Sequence, residues 1–111
     1  MIARHWRGWT EVENADAYEA LLKNKVLPGL RAIEGYRGGY ILRYDGSPQF
    51  ISLPEVEFAV ISFFESLDAV KRFAGSDYTA PVFEQEAKKL LSRADMYATH
   101  YEVRAAVPVA L

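Results

Sequence analysis

The chain has 111 residues, 13 Lys+Arg against 15 Asp+Glu, a formal net charge of −2 and no cysteine. That length reads as one domain, residues 1–111, and a chain this long buries roughly two-thirds of the surface its unfolded form exposes, so a core needs no metal or disulfide staple. The lack of cysteine excludes disulfides, thiolate ligands and a cysteine nucleophile. No basic run exceeds Lys71-Arg72 or Lys88-Lys89, which speaks against a nucleic-acid partner.

Ile2 to Thr10 reads as a first strand, β-branched and aromatic residues followed by polar ones. The opening carries Arg4, His5 and Arg7 and lacks an apolar core of signal-peptide length. No stretch approaches the roughly 20 apolar residues of a membrane span, so a soluble cytoplasmic protein with no membrane partner is expected. Asn14 suits the N-cap of a helix to about Val26, with Tyr18, Leu21, Leu22 and Val26 on one face and Glu19 and Lys23 paired on the other. Pro28-Gly29 is expected to break that helix, with one short turn more before Gly35. Tyr36 to Tyr44 is a second strand, closed by Asp45-Gly46. Gln49 to Leu53 could start the next strand, with Pro54 forcing a bulge or an edge.

Val56 to Phe64 is the strongest strand pattern. Ser66 caps a helix with Leu67, Val70 and Phe73 inward, stopped by Gly75. Pro81 suits the first turn of another helical stretch, with Phe83, Ala87, Leu90 and Leu91 inward and Glu84 and Lys88 paired outward. Asp95 to Val103 is the last strand.

The order strand, helix, strand, strand, helix, strand gives a ferredoxin-like βαββαβ arrangement: α+β, an antiparallel sheet with both helices on one face. The other face then poses a problem. Val56, Phe58, Val60 and Phe64 point one way, Ala59, Ile61 and Phe63 the other, and neither parity is polar. Leaving such side chains in water forfeits about 2 kcal/mol each. A second copy of the same sheet is the simplest cover, so a homodimer is expected.

ARHWRGW (Ala3 to Trp9), YRGGYILR (Tyr36 to Arg43), EFAVISFFESLDAVKRFAGSDY (Glu57 to Tyr78) and HYEV (His100 to Val103) resemble the antibiotic biosynthesis monooxygenase family of the dimeric α+β barrel superfamily. The resemblance spans nearly the whole chain and rests on aromatic and small-residue patterns, with no invariant catalytic signature. The segment Asp45 to Glu55 looks longer than that family's usual hairpin connection. The resemblance implies a ligand pocket in each subunit, between sheet and helices. Relatives include cofactor-independent oxygenases of polycyclic aromatics and haem-degrading enzymes. The latter hold iron through a helical histidine, and neither predicted helix here has one.

His100 is the candidate catalytic residue. It is either a general base with an unperturbed pKa near about 6.5 or a satisfied histidine on a buried sheet face. His5, on the neighbouring first strand, could approach it and with Glu102 invites a metal reading, but the spacing matches no motif and no metal is expected. Trp6 and Trp9 have opposite parity: one could line the pocket, the other the dimer interior. Trp6, Phe64, Asp77 and Tyr78 are the candidate substrate-binding residues, Tyr78 as a loop residue closing over the pocket. Arg4 shares the face of Trp6; buried there, it needs a carboxylate partner or a ligand anion, and an interface salt bridge is expected to pair it. No phosphate loop, Rossmann fingerprint, nucleophile elbow or zinc helix appears, so no tightly bound cofactor is expected. The favoured function is a cofactor-independent monooxygenase acting on an aromatic or flat apolar small molecule. The alternative is a non-catalytic ligand-binding or stress-related dimer of the same fold. The uncharged tail from Ala105 to Leu111 is expected to pack on the partner through Val107 and Val109.

Overall fold

The computed structural model describes residues 1–46, 54–82 and 85–111. The centre of the sheet is strand β1 (Ile2–Glu11). It runs antiparallel to β3 (Glu55–Phe64) in unbroken register from Ile2↔Phe64 to Glu11↔Glu55. Strand β2 (Tyr36–Tyr44) pairs antiparallel with the far side of β3. The other edge of β1 carries two short strands in succession, β4 (Leu91–Ala94) and β5 (Thr99–Glu102). The order β2-β3-β1 followed by β4 and β5 is the ferredoxin-like arrangement expected from the sequence.

The helical face follows the alternation in β3. Val56, Phe58 and Phe64 are fully buried on it. Phe58 takes Tyr18 edge-on, with ring centroids 5.1 Å apart. Ala15, Tyr18, Leu21 and Leu22 close one core cluster over Val56 and Phe58, while Leu30, Ala69 and Val70 close a second over Phe64.

The first helical arm runs on through Pro28-Gly29, against the expected break. Helix α1 (Ala15–Leu21) passes into a π-helical turn (Leu22–Val26) and then into α2 (Leu27–Arg31). The wider turn accounts for this. Proline lacks an N–H and its ring crowds the carbonyl four residues back. Here the bonding register changes just before Pro28, with Leu27 N–H on the Leu22 carbonyl. The arm ends near Gly35, whose φ of +91° suits only glycine, and where a Cβ would lie 2.7 Å from that of Ala69.

Ser66 caps α3 (Leu67–Ala74) as expected, its Oγ accepting the Ala69 N–H at 3.2 Å, and Gly75 ends it. Helix α4 (Gln85–Leu90) is shorter than the pattern suggests. Pro81 lies in the irregular chain before it rather than in its first turn. Leu91 does pack inward, but as the first residue of β4. Phe83 and Glu84 lie outside the described residues, as do Gln49 to Leu53 and with them most of the long β2–β3 connection.

The last strand is split, where a continuous one from Asp95 was expected. The Asp95 Oδ2 atom accepts both the backbone N–H and the Nε–H of Arg7 at 3.0 Å, and Oδ1 accepts Nη2 at 3.1 Å. The Asp95 N–H also donates to the Arg7 carbonyl at 2.9 Å, so the fork sits at the end of the β4 pairing, and pairing with β1 resumes at Thr99.

Among the described residues, no helix covers the second face of the sheet. At one end it is closed by the chain's own charges. Trp9 is buried under the Arg93 guanidinium, 3.8 Å from its ring centroid, and Arg93 pairs with the buried Glu55 at 2.9 Å. Elsewhere Leu42, Tyr44 and Tyr101 are about half exposed, beside half-buried Tyr40, Ile61 and Phe63.

Candidate functional site

Between the sheet and the helices lies a cavity of about 50 Å³. Its floor is Arg4 and Trp6 of β1 with Val60 and Ser62 of β3. The helical arm supplies Tyr18, Leu22, Val26 and Leu30, and Phe73, Pro81, Val82 and Ala87 complete the wall. The register explains the floor. Arg4 is the cross-strand partner of Ser62 and Trp6 of Val60, so the four side chains rise from adjacent positions on one face. Trp6 is fixed by its Nε1–H, which donates to the Asp95 carbonyl at 2.9 Å. Gly8 makes room for it: a Cβ there would stand 3.1 Å from the indole edge.

Arg4 dominates the electrostatics. Its residue surface is 5% exposed. The guanidinium donates to the Tyr78 carbonyl, to the Ala80 carbonyl at 3.0 Å and to His100 Nε2 at 3.0 Å, and it lies 5.5 Å from the Phe73 ring centroid. All of these partners are neutral. It forms no ion pair among the described residues, and burial lowers its pKa to about 10. Arg4 points to the helical side of the sheet, and not to the open face on which an interface salt bridge was expected.

His100 sits opposite Arg4 in the β1–β5 register, on the same side of the sheet. Burial, and then the Arg4 charge, push its pKa below the ordinary histidine value. A guanidinium can only donate, so Nε2 is the accepting nitrogen and a neutral ring carries its proton on Nδ1. His100 is not among the residues lining the cavity; it stands behind Arg4. His5 falls on the other side of the sheet, opposite Thr99, so the two histidines do not converge. Among the described residues no cluster of three His, Asp or Glu side chains could hold a metal ion.

The remaining candidates divide. Trp6 lines the cavity. Tyr78 does not, but its carbonyl anchors Arg4 and its ring meets His100 edge-on at 5.2 Å. Phe64 is one layer further in, stacked on the cavity residue Phe73 at 6.1 Å. Asp77 faces solvent, where its carboxylate accepts the Thr79 hydroxyl at 3.3 Å. Ser62 and the helical residues Leu22, Val26 and Leu30 were not identified as site residues from the sequence. The parity that puts Ser62 with Phe64 and Val60 was the available signal.

No family model matches the chain, and no curated protein matches it. Solved structures do. A candidate antibiotic biosynthesis monooxygenase from Deinococcus radiodurans superposes with a TM-score of 0.64 at 16% identity, covering 99% of both chains. One from Bacillus cereus gives 0.55 at 15%, over 97% of this chain and 96% of the other. A monooxygenase of Streptomyces coelicolor, solved in complex with the ligand nanaomycin D, gives 0.55 at 13%, over 98% and 92%. The chain thus has the antibiotic biosynthesis monooxygenase fold. At these identities the likeness establishes architecture and leaves the reaction to be argued from the site.

Proposed function

We propose that this protein is a cytoplasmic, homodimeric, oxygenase-like enzyme. It takes an aromatic or otherwise flat apolar molecule into the cavity between sheet and helices and oxidises it with O₂ without a tightly bound cofactor. The observation that carries this reading is the buried Arg4 guanidinium at the edge of a cavity whose described lining is mostly apolar. A cation in a dry site favours the ionised form of a phenol and so raises electron density on its ring. O₂ adds to the activated ring carbon and a proton completes the hydroperoxide. Loss of water, with the proton leaving that carbon, then gives a second carbonyl. One oxygen atom stays and the other departs as water; the phenol loses four electrons and O₂ gains four. Trp6 and Phe73 supply aromatic walls.

His100 acts in this scheme as a positioning residue. Its accepting nitrogen is taken by Arg4, so it orients the guanidinium rather than receiving the substrate proton. A cavity that admits benzene measures about 150 Å³, three times this one, so a one-ring ligand requires the walls to part. The partly apolar open face of the sheet supports the dimer.

A non-catalytic ligand-binding protein is favoured by one observation: among the described residues, no carboxylate or histidine lines the cavity. Oxygen uptake separates the two. Electron-rich phenols of one to three rings should consume O₂ in equal molar amount to the quinone formed, and Arg4→Gln should slow turnover. Saturable binding with no O₂ uptake across the series would establish the binder.

A further inference from the structure

We propose that the cavity is an anion-accepting pocket: it takes a small ligand with an apolar body and one ionised oxygen group, seated on the Arg4 guanidinium and the Ser62 hydroxyl. The shared chemistry is the anionic oxygen, whether of a carboxylate or of an ionised phenol or enol. The inference rests on the cavity being a ligand site, as in the function proposed above, and extends the ionised phenol argued there to any single ionised oxygen group, with the Ser62 hydroxyl as a second donor.

Three observations point to it. Arg4 is buried and carries a full charge with no carboxylate partner among the described residues. Buried charges are ordinarily paired. Two backbone carbonyls and a neutral imidazole solvate this one in part, without neutralising it. Second, Ser62 is buried on the same floor, and its hydroxyl makes no hydrogen bond to any described residue. Cross-strand pairing puts it directly beside Arg4, so one oxygen-bearing group can meet both. Third, the rest of the lining is apolar among the described residues, apart from the Trp6 and Tyr18 polar tips. Burial raises the Tyr18 phenol well above its ordinary value, so it stays neutral and adds no competing negative charge.

A single cation in a small apolar chamber selects one negative charge. A second would find no partner, and a neutral isostere would forgo the charge-assisted bonds. The size of the cavity sets the body: a few carbon atoms fit as it stands, and a single ring only if the walls part.

The test needs no knowledge of the natural ligand. Propionate and benzoate are each titrated calorimetrically into the full-length protein against propionamide and benzamide, which match them in shape and lack the charge. At least one acid should bind about tenfold or more tighter than its amide, the scale of a hydrogen bond to a charged group. Ser62→Ala should weaken the acid several-fold and leave the amide nearly unchanged, and Arg4→Gln should abolish the difference. Acids and amides binding alike, or neither binding, would overturn the inference, and this comparison holds even if Arg4→Gln does not fold. Its failure is distinct from that of the oxygenase reading. Acid preference without O₂ uptake removes the oxygenase and keeps the anion pocket; O₂ uptake with acids and amides bound alike does the reverse.

Discussion

Replacing His100 by glutamine tests how the cavity's charge is held. Glutamine keeps an oxygen able to accept from Arg4 but does not titrate. In the folded protein the His100 pKa is lowered, first by burial and then by the Arg4 charge. The unfolded chain therefore binds the proton more readily than the native one. By linkage, the stability associated with neutral His100 is complete above the ordinary value of 6.5 and is lost as the pH falls toward the lowered native value. One proton sets a ceiling of about 1.4 kcal/mol per pH unit, and the ring's partial exposure keeps the effect below it. For a domain of this size the ceiling is about 6 °C of Tm per pH unit. Thermal unfolding of both proteins from about pH 8 to pH 5 reads it. The wild type should lose Tm faster than His100→Gln below about pH 6.5, while every other titrating group is common to the two. Parallel curves would refute the argument. A wild type that gains on the variant in acid would mean that the native state prefers charged histidine, which the bond from Arg4 forbids.

Three further outcomes are expected. Sedimentation equilibrium should give twice the 12.6 kDa chain mass, and Phe63→Glu, on the open face, should yield monomer; a monomeric wild type would leave that face needing another cover. Deleting residues 105–111, where Val107, Val109 and Leu111 are exposed in the single chain, should raise the dimer dissociation constant; an unchanged constant would make the tail idle. Asp95→Ala removes three bonds from Arg7, two of them from its guanidinium, and should cost about 2 kcal/mol in chemical denaturation; a loss under about 0.5 kcal/mol, the range of an ordinary surface change, would show that the fork does not hold the split strand.

The fold was legible because Val56 to Phe64 is an almost continuous β-branched and aromatic run and because Ser66, Gly35 and Gly75 act locally. What was not legible depends on partners distant in sequence. The fork that breaks the last strand joins residues 7 and 95, and no local pattern around Asp95 announces it. Pro28 reads as a stop only while a helix is assumed to keep one bonding register; the π turn before it removes the conflict. Parity put Arg4 and Trp6 on one face correctly, but the sequence did not say which face the helices would cover. Of the two partners a buried arginine could take, a carboxylate or a ligand anion, an interface carboxylate was therefore favoured. His100 was legible as a histidine of the terminal strand, and its dependence on Arg4 was not, because it requires the β1–β5 register.

The open face sharpens what a partner must supply. Its rows, read along β1, change character. Around Trp9 the row contains Arg93 and Glu57, and the Arg93–Glu55 and Arg7–Asp95 ion pairs close within the chain. Two rows further on, His5 is flanked by Thr99 and Ile61, with Tyr40 beyond, and Ala3 by Tyr101 and Phe63. No ion pair closes that end among the described residues, and its rings and aliphatic chains remain half in water. Burying that surface is favourable at about 25 cal/mol per Å², whereas prising open the charged end would strand Glu55 in a buried position at a cost of several kcal/mol. A second subunit is therefore expected to seat on the Ala3–Phe63–Tyr101 end and leave the Trp9 end intact. Because Arg4 lies on the opposite side of the same strand, bracketed by Ala3 and His5, dimer contacts would brace the cavity floor from beneath without entering it.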